Sequence, residues 1–115
     1  MTVTIYHNPR CSKSRQTLAL LEGRGIKPVI KEYLSDVPNK EELKIILAML
    51  SKSPRDLMRK NESEYKENGL DNPALTEDEL IQAMINAPKL IERPIVINND
   101  KASIGRPPES VLDIL

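Results

Sequence analysis

Polar and apolar residues alternate from Thr2 to Tyr6, with β-branched Val3 and Ile5 at the apolar positions. That is the two-residue period of a strand. His7-Asn8-Pro9 breaks the alternation, and from Ser12 the spacing lengthens. Leu18 and Leu21 stand three apart and Gly23 and Gly25 supply stop signals, so a helix is expected. Val29 to Leu34 follows Pro28, contains Val29, Ile30 and Tyr33, and precedes the turn-like Ser35-Asp36-Val37-Pro38, which predicts a second strand. A strand, helix, strand order implies parallel pairing.

The middle of the chain reads as helical. Asn39 with Glu42 forms a cap pair, after which Leu43, Ile46, Leu47 and Leu50 share one face. Ser53-Pro54 repeats the start signal for a short helix through Leu57 and Arg59. Asn61 to Asn68 is highly charged and predicts a short exposed helix ended by Gly69. Thr76 with Glu79 opens another helix, carrying Leu80, Ile81, Met84 and Ile85 as far as Ala87-Pro88. Pro94 to Ile97, the polar turn Asn98-Asn99-Asp100 and Lys101 to Gly105 predict two antiparallel strands. Pro107-Pro108 stops the second, and Glu109 to Leu115 should close the chain as a helix with Val111, Leu112 and Leu115 on its inner face. The order βαβ, helical block, ββα predicts an α/β domain with a mixed sheet of about four strands. One domain over 1–115 is expected, with the helical block at about 38–88 as an insertion.

Composition narrows the function classes. The 115 residues suffice for a buried core without a disulfide framework. Lys plus Arg and Asp plus Glu balance at 17 each, which implies neither a nucleic-acid footprint nor a basic membrane patch. The apolar runs are too short to span a bilayer, and the first residues lack the pattern of a secretory signal, so a cytoplasmic protein is expected. The single cysteine cannot form an internal bridge, so redox chemistry there must draw its second thiol from another molecule. No metal site is expected.

That cysteine, Cys11, and the single histidine, His7, lie in one stretch, His-Asn-Pro-Arg-Cys-Ser-Lys-Ser-Arg. The expected strand and helix place Cys11 where a helix begins, and the positive end of the peptide dipole favours its thiolate. Arg10, Lys13 and Arg15 flank it. Inert cysteines are buried among apolar groups, whereas reactive ones sit in electropositive pockets. His7 is either a bystander or a support for the thiolate or the loop. Ser12 and Ser14 suit helix-cap hydroxyls that could also reach the sulfur or a bound anion. Ser14 stands where a Cys-x-x-Cys motif would carry its second thiol. Arg93 precedes Pro94 at a strand start, and Arg106 stands between Gly105 and Pro107 at a strand end. Guanidinium forks at such rigid turns suit a tetrahedral oxyanion attacked by a thiolate. Arg59 is a weaker candidate on the residues alone.

The motif His-Asn-Pro-x-Cys-x-x-Ser-Arg, with Ile91-Glu92-Arg93-Pro94-Ile95-Val96 and Arg106-Pro107 ahead of Val111-Leu112-Asp113-Ile114-Leu115, resembles the glutaredoxin-coupled arsenate reductases over essentially the whole chain. The resemblance implies a thioredoxin-like fold with a helical insertion. It also implies that Cys11 is the nucleophile, that His7, Ser14 and Arg15 support the thiolate, that Arg59, Arg93 and Arg106 bind the anion, and that Pro94 is the cis-proline near the active site. The implied reaction starts with a Cys11 adduct of arsenate. Glutathione then adds as co-substrate, As(V) becomes As(III), and glutaredoxin removes the glutathione as arsenite leaves, with no bound cofactor, metal, nucleotide or flavin. Arg10 and Lys13 stand where the well-studied enzymes carry small uncharged residues, and bear on anion preference. Two other classes remain: a glutathione-dependent thiol oxidoreductase with another substrate, and a non-enzymatic thioredoxin-fold transcription regulator that binds RNA polymerase. Ser14 speaks against the second, whose relatives use Cys-x-x-Cys as a switch.

Overall fold

A computed structural model describes residues 2–115. Contacts divide the chain into two units, one running to Asp36 and resuming over Arg93–Leu115, the other Val37–Glu92.

The first unit contains β1 (Val3–Tyr6), α1 (Ser12–Gly23), β2 (Val29–Lys31), β3 (Ile95–Asn98) and β4 (Lys101–Ile104). They form a sheet of order β2-β1-β3-β4, with β1 parallel to β2 and antiparallel to β3, and β3 antiparallel to β4. This is the expected mixed sheet. Ile5 lies opposite Val96, so Val3, Ile5 and Val96 share a face, and with Leu21 of α1 and Val111 they make the core of this unit. Leu18, Leu20, Ile26, Ile114 and Leu115 pack around it.

Three expectations are corrected here. The second strand ends at Lys31 rather than Leu34, because the N–H groups of Ser35 and Asp36 fold back onto the Glu32 carbonyl at 3.0 and 2.8 Å. Since β2 is an edge strand, Val29 and Ile30 remain 52% and 46% exposed, while Tyr33 is buried outside the strand. The hairpin turn is only Asn99-Asp100, since Asn98 still pairs with Lys101; Asn99 takes the left-handed φ of 58° that asparagine tolerates. The closing segment is a 3-10 helix over Pro108–Ile114. Its three residues per turn align Val111 with Ile114, so these two, with Leu115, meet the core in place of Leu112. The Asn98 side chain donates to the Ile114 carbonyl at 2.6 Å and anchors that segment to β3.

The second unit is helical: α2 (Lys40–Leu50), α3 (Pro54–Leu57), α4 (Ser63–Glu67), α5 (Glu77–Asn86) and a 3-10 turn at Pro88–Leu90. Asn39 caps α2 by accepting the Glu42 N–H at 2.8 Å, and Ser53 caps α3 from Asp56. Thr76 and Glu79 exchange both bonds of a capping box, at 3.2 and 2.9 Å. Leu43, Ile46 and Leu47 of α2 and Leu80, Ile81 and Met84 of α5 are buried, and α5 packs on both α2 and α3.

Arg59 does not lie on a helix. α3 stops at Leu57, Met58 turns extended to bridge Ile91, and the Arg59 N–H donates to the Leu90 carbonyl at 2.7 Å. The helix α4 is not wholly exposed either. Tyr65 is buried, and its hydroxyl accepts a 2.9 Å bond from Arg55. That guanidinium also donates to the carbonyls of Leu70 and Asn72 and ties down the loop after α4. Among the described residues no helix is long and apolar enough to cross a membrane.

Thr76→Ala removes one bond of the box and leaves the Glu79 N–H without its cap. It should cost about 1 kcal/mol, read as a lower urea midpoint with an unchanged denaturant slope.

Candidate active site around Cys11

The reactive loop is built from the end of β1. The His7 N–H donates to the Lys31 carbonyl at 2.8 Å and carries the parallel pairing one residue past the strand. Asn8 then closes the loop on itself, since its side chain accepts the Arg10 N–H and its carbonyl accepts the Cys11 N–H, both at 3.0 Å. Cys11 is the N-cap of α1, with extended φ and ψ of −96° and 124°, and its carbonyl takes the first helical bond from the Arg15 N–H at 3.0 Å.

The sulfur does not close a cap hydrogen bond, but it stands before the N–H groups that a helix start leaves open. Burial pushes the Cys11 thiol pKa up. The Ser14 N–H, the charge of Arg93, the Lys13 N–H and a hydrogen bond from Arg93 together outweigh burial and hold it below the ordinary thiol value. Arg106 Nη2 lies 3.5 Å from the sulfur.

Ser14 and Ser12 do not cap the helix. Ser12 is exposed at its first position, whereas Ser14 is fully buried and its hydroxyl accepts the Asn8 N–H at 3.0 Å and pairs with His7 Nδ1 at 2.6 Å. The partner of the ring is thus the serine. Burial lowers the His7 pKa, Glu32 raises it and Arg15 lowers it, with a net fall that favours the neutral ring over the charged one. Arg15 donates from Nη1 to the Pro9 carbonyl at 2.9 Å and braces the loop from outside.

Strand register brings in the arginines. Tyr6 pairs with Ile95 and Ile95 with Ile104, so continuing both ladders sets Pro94 level with His7 and Gly105, and Arg93 level with Asn8 and Arg106. The bonds agree. The Gly105 N–H donates to the Pro94 carbonyl at 2.9 Å, and Arg106 Nε donates to the Arg93 carbonyl at 2.8 Å. Both Arg93-Pro94 and Arg106-Pro107 are cis, the second without a sequence signal to distinguish it. The first unit therefore unites Cys11, His7, Ser14, Arg15, Arg93, Pro94 and Arg106. Arg59 belongs to the second unit, where it is paired with Glu62 and stands 3.8 Å from Glu92.

Two neighbours of the site escaped sequence reading. A Cβ on Gly105 would collide with Thr17 Oγ1 and come within 2.8 Å of Pro94 Cγ. Thr17 is fully buried on α1, its hydroxyl donating to the Lys13 carbonyl at 2.8 Å. A glycine directly before the strand-end Arg-Pro pair was the available signal of close backbone approach. Among the described residues no group of three or more His, Cys, Asp or Glu side chains is placed to hold a metal. The arrangement offers one soft nucleophile, ionised more readily than a free thiol, with two guanidinium groups that can offset the charge of an approaching oxyanion.

The sheet and the cysteine at a helix N-cap place the protein among the thioredoxin-like thiol proteins. The ArsC family matches residues 6–114, and the chain belongs to that family. It is 53% identical over 116 residues to the arsenate reductase of Haemophilus influenzae, covering all of both chains. It is also 53% identical over 114 residues to the uncharacterized protein YfgD of Escherichia coli, covering 98% of this chain and 96% of that one. Among solved structures, the arsenate reductase from Vibrio cholerae superimposes with a TM-score of 0.97 at 53% identity, over 100% of this chain and 98% of that one.

The lowered thiol pKa is open to direct measurement. The rate of Cys11 alkylation by iodoacetamide should rise with pH to a midpoint below the free-thiol value of about 8.5. Arg93→Ala removes charge and a hydrogen bond from the thiolate and should move that midpoint upward; a midpoint equal to that of free cysteine would remove the activation argument.

Proposed function

We propose that this protein is an arsenate reductase that works through the Cys11 thiolate and takes its remaining electrons from glutathione and glutaredoxin. The observation that carries the reading is the sulfur itself. It is held toward the thiolate by helix N–H groups and Arg93, with Arg106 Nη2 at 3.5 Å. A thiolate and an arsenate oxyanion repel unless cations offset both, and Arg93 and Arg106 supply that offset.

In this reading Cys11 attacks arsenic and an oxygen leaves as water, giving a sulfur–arsenic bond. Glutathione, the second thiol, adds; two electrons pass from sulfur to arsenic, and As(V) becomes As(III). The sum is one arsenate and two thiols giving arsenite, one mixed disulfide and water. Glutaredoxin then takes up the glutathione and returns Cys11 to the thiol. Ser14 and His7 hold the loop and Arg15 braces it through Pro9, beside Pro94. Arg59 is assigned to anion binding on the sequence resemblance. The single cysteine fits, since each turnover needs one protein thiol and external thiols for the rest.

A coupled assay with arsenate, glutathione and glutaredoxin tests this reading, run beside glutathionylated substrates without arsenate. Cys11→Ser should abolish arsenate reduction with an unchanged circular dichroism spectrum, and retained turnover would remove Cys11 from the mechanism. Turnover of the glutathionylated substrates alone would assign a general thiol oxidoreductase instead. Arg106→Ala should lower arsenate turnover on the order of a hundredfold while Cys11 alkylation by neutral iodoacetamide changes far less, because the Ser14 and Lys13 N–H groups and Arg93 still hold the thiolate. Equal losses in both would assign Arg106 a structural role.

A further inference from the structure

Cys11 and Arg106 are 95 residues apart, and their 3.5 Å approach depends on how α1 meets the end of β4. Cys11 caps α1, and Thr17 lies six residues further along it, about 9 Å at 1.5 Å per residue. Gly105 directly precedes Arg106. The gap between Thr17 and Gly105 therefore sets the gap between the sulfur and the guanidinium.

That gap is closed as far as backbone allows. Thr17 is fully buried, a Cβ on Gly105 would run into its Oγ1 and stand 3.1 Å from its Cγ2, and Pro94 Cγ would be 2.8 Å away. The backbone of Gly105 is outside the left-handed region, so dihedral freedom does not account for a glycine here. Space does. The Gly105 N–H bond to the Pro94 carbonyl, and that of Arg106 Nε to the Arg93 carbonyl, fasten the rest of the segment. A shift at Gly105 is thus carried into the Arg106 side chain.

We propose that Gly105 and Thr17 are positioning residues for the anion site: the absent side chain at 105 lets the Arg106 segment seat against α1 and brings its guanidinium to the Cys11 sulfur. The proposal rests on the arsenate reading only for its substrate, since the geometry concerns Arg106 and a thiolate. Gly105→Ala lifts the segment from Thr17. It weakens the Arg106 contact and leaves the Ser14 and Lys13 N–H groups at the sulfur in place.

The test compares alkylation of Cys11 by anionic iodoacetate and neutral iodoacetamide, whose rate ratio reports the cationic field at the sulfur. Gly105→Ala should lower that ratio about fivefold to tenfold and raise the arsenate KM on the order of tenfold, and the iodoacetamide midpoint should move upward with it, because the same cation stabilises the thiolate. Thr17→Ala combined with Gly105→Ala removes both Thr17 atoms that crowd the new Cβ, leaves the contact with Pro94 Cγ, and should restore part of the ratio and the KM. Thr17→Ser combined with Gly105→Ala keeps Oγ1 and should restore neither. A wild-type ratio in Gly105→Ala, or equal rescue by alanine and serine at 17, overturns the proposal. If Gly105→Ala does not fold, recovery of fold and ratio in the alanine double variant supports it and recovery of fold without the ratio overturns it. Failure of the wild-type protein to reduce arsenate would remove the substrate reading while leaving the ratio as the test of positioning.

Discussion

The buried hydroxyl of Ser14 joins the end of β1 to the first turn of α1. It receives the Asn8 N–H and pairs with His7, so two loop residues are fastened to a helix residue three positions past the cysteine. A loop of five residues, 7–11, would otherwise be free to swing its thiol away from the helix axis. Held in this way, Cys11 must take the N-cap position, and the open N–H groups of the helix face the sulfur. The cost of leaving a thiolate only 8% exposed is then more than offset by fixed dipoles and Arg93, which reverses the direction burial alone would dictate.

The second constraint is the pairing of β1 with both β2 and β3. A central strand flanked by one parallel and one antiparallel neighbour brings the first loop of the chain beside a segment more than eighty residues later. The antiparallel ladder ends at Tyr6 and Ile95, and its register carried on by one and two residues sets the Arg93-Pro94 pair level with the loop at His7 and Asn8. The hairpin turn at Asn99-Asp100 fixes the register of β4 against β3, and with it which residue of the strand end faces Arg93. The two arginines of the site are thus brought in by sheet register, and the cysteine by a helix start.

Periodicity and capping signals placed each strand and most of the helices, because these depend on neighbours within a turn or two. Asn39, Ser53 and Thr76 cap as their spacing indicates, and Thr2 to Tyr6 alternates because one face of β1 is core. The misplacements have one physical source. Val29 to Leu34 is apolar enough for a strand but is cut at Lys31 by a turn at Glu32, Arg59 leaves its helix because Met58 bridges Ile91, and the last helix tightens to 3-10 where Asn98 takes the Ile114 carbonyl. In each case a distant or competing hydrogen bond outweighed local propensity.

The residues of the site were recognisable in the sequence by type, since a lone cysteine among cations and arginines beside prolines are chemical signals carried by composition and neighbours. Their relations were not. That His7 pairs with Ser14, that Arg15 holds Pro9, and that a side chain at Gly105 would meet Thr17 are facts of contacts across the fold. The sequence by itself determined the candidate nucleophile, the elements that carry it and the family to which the chain belongs. Only the tertiary structure decided which charges reach the sulfur, because that depends on strand register and close packing between segments that share no local code.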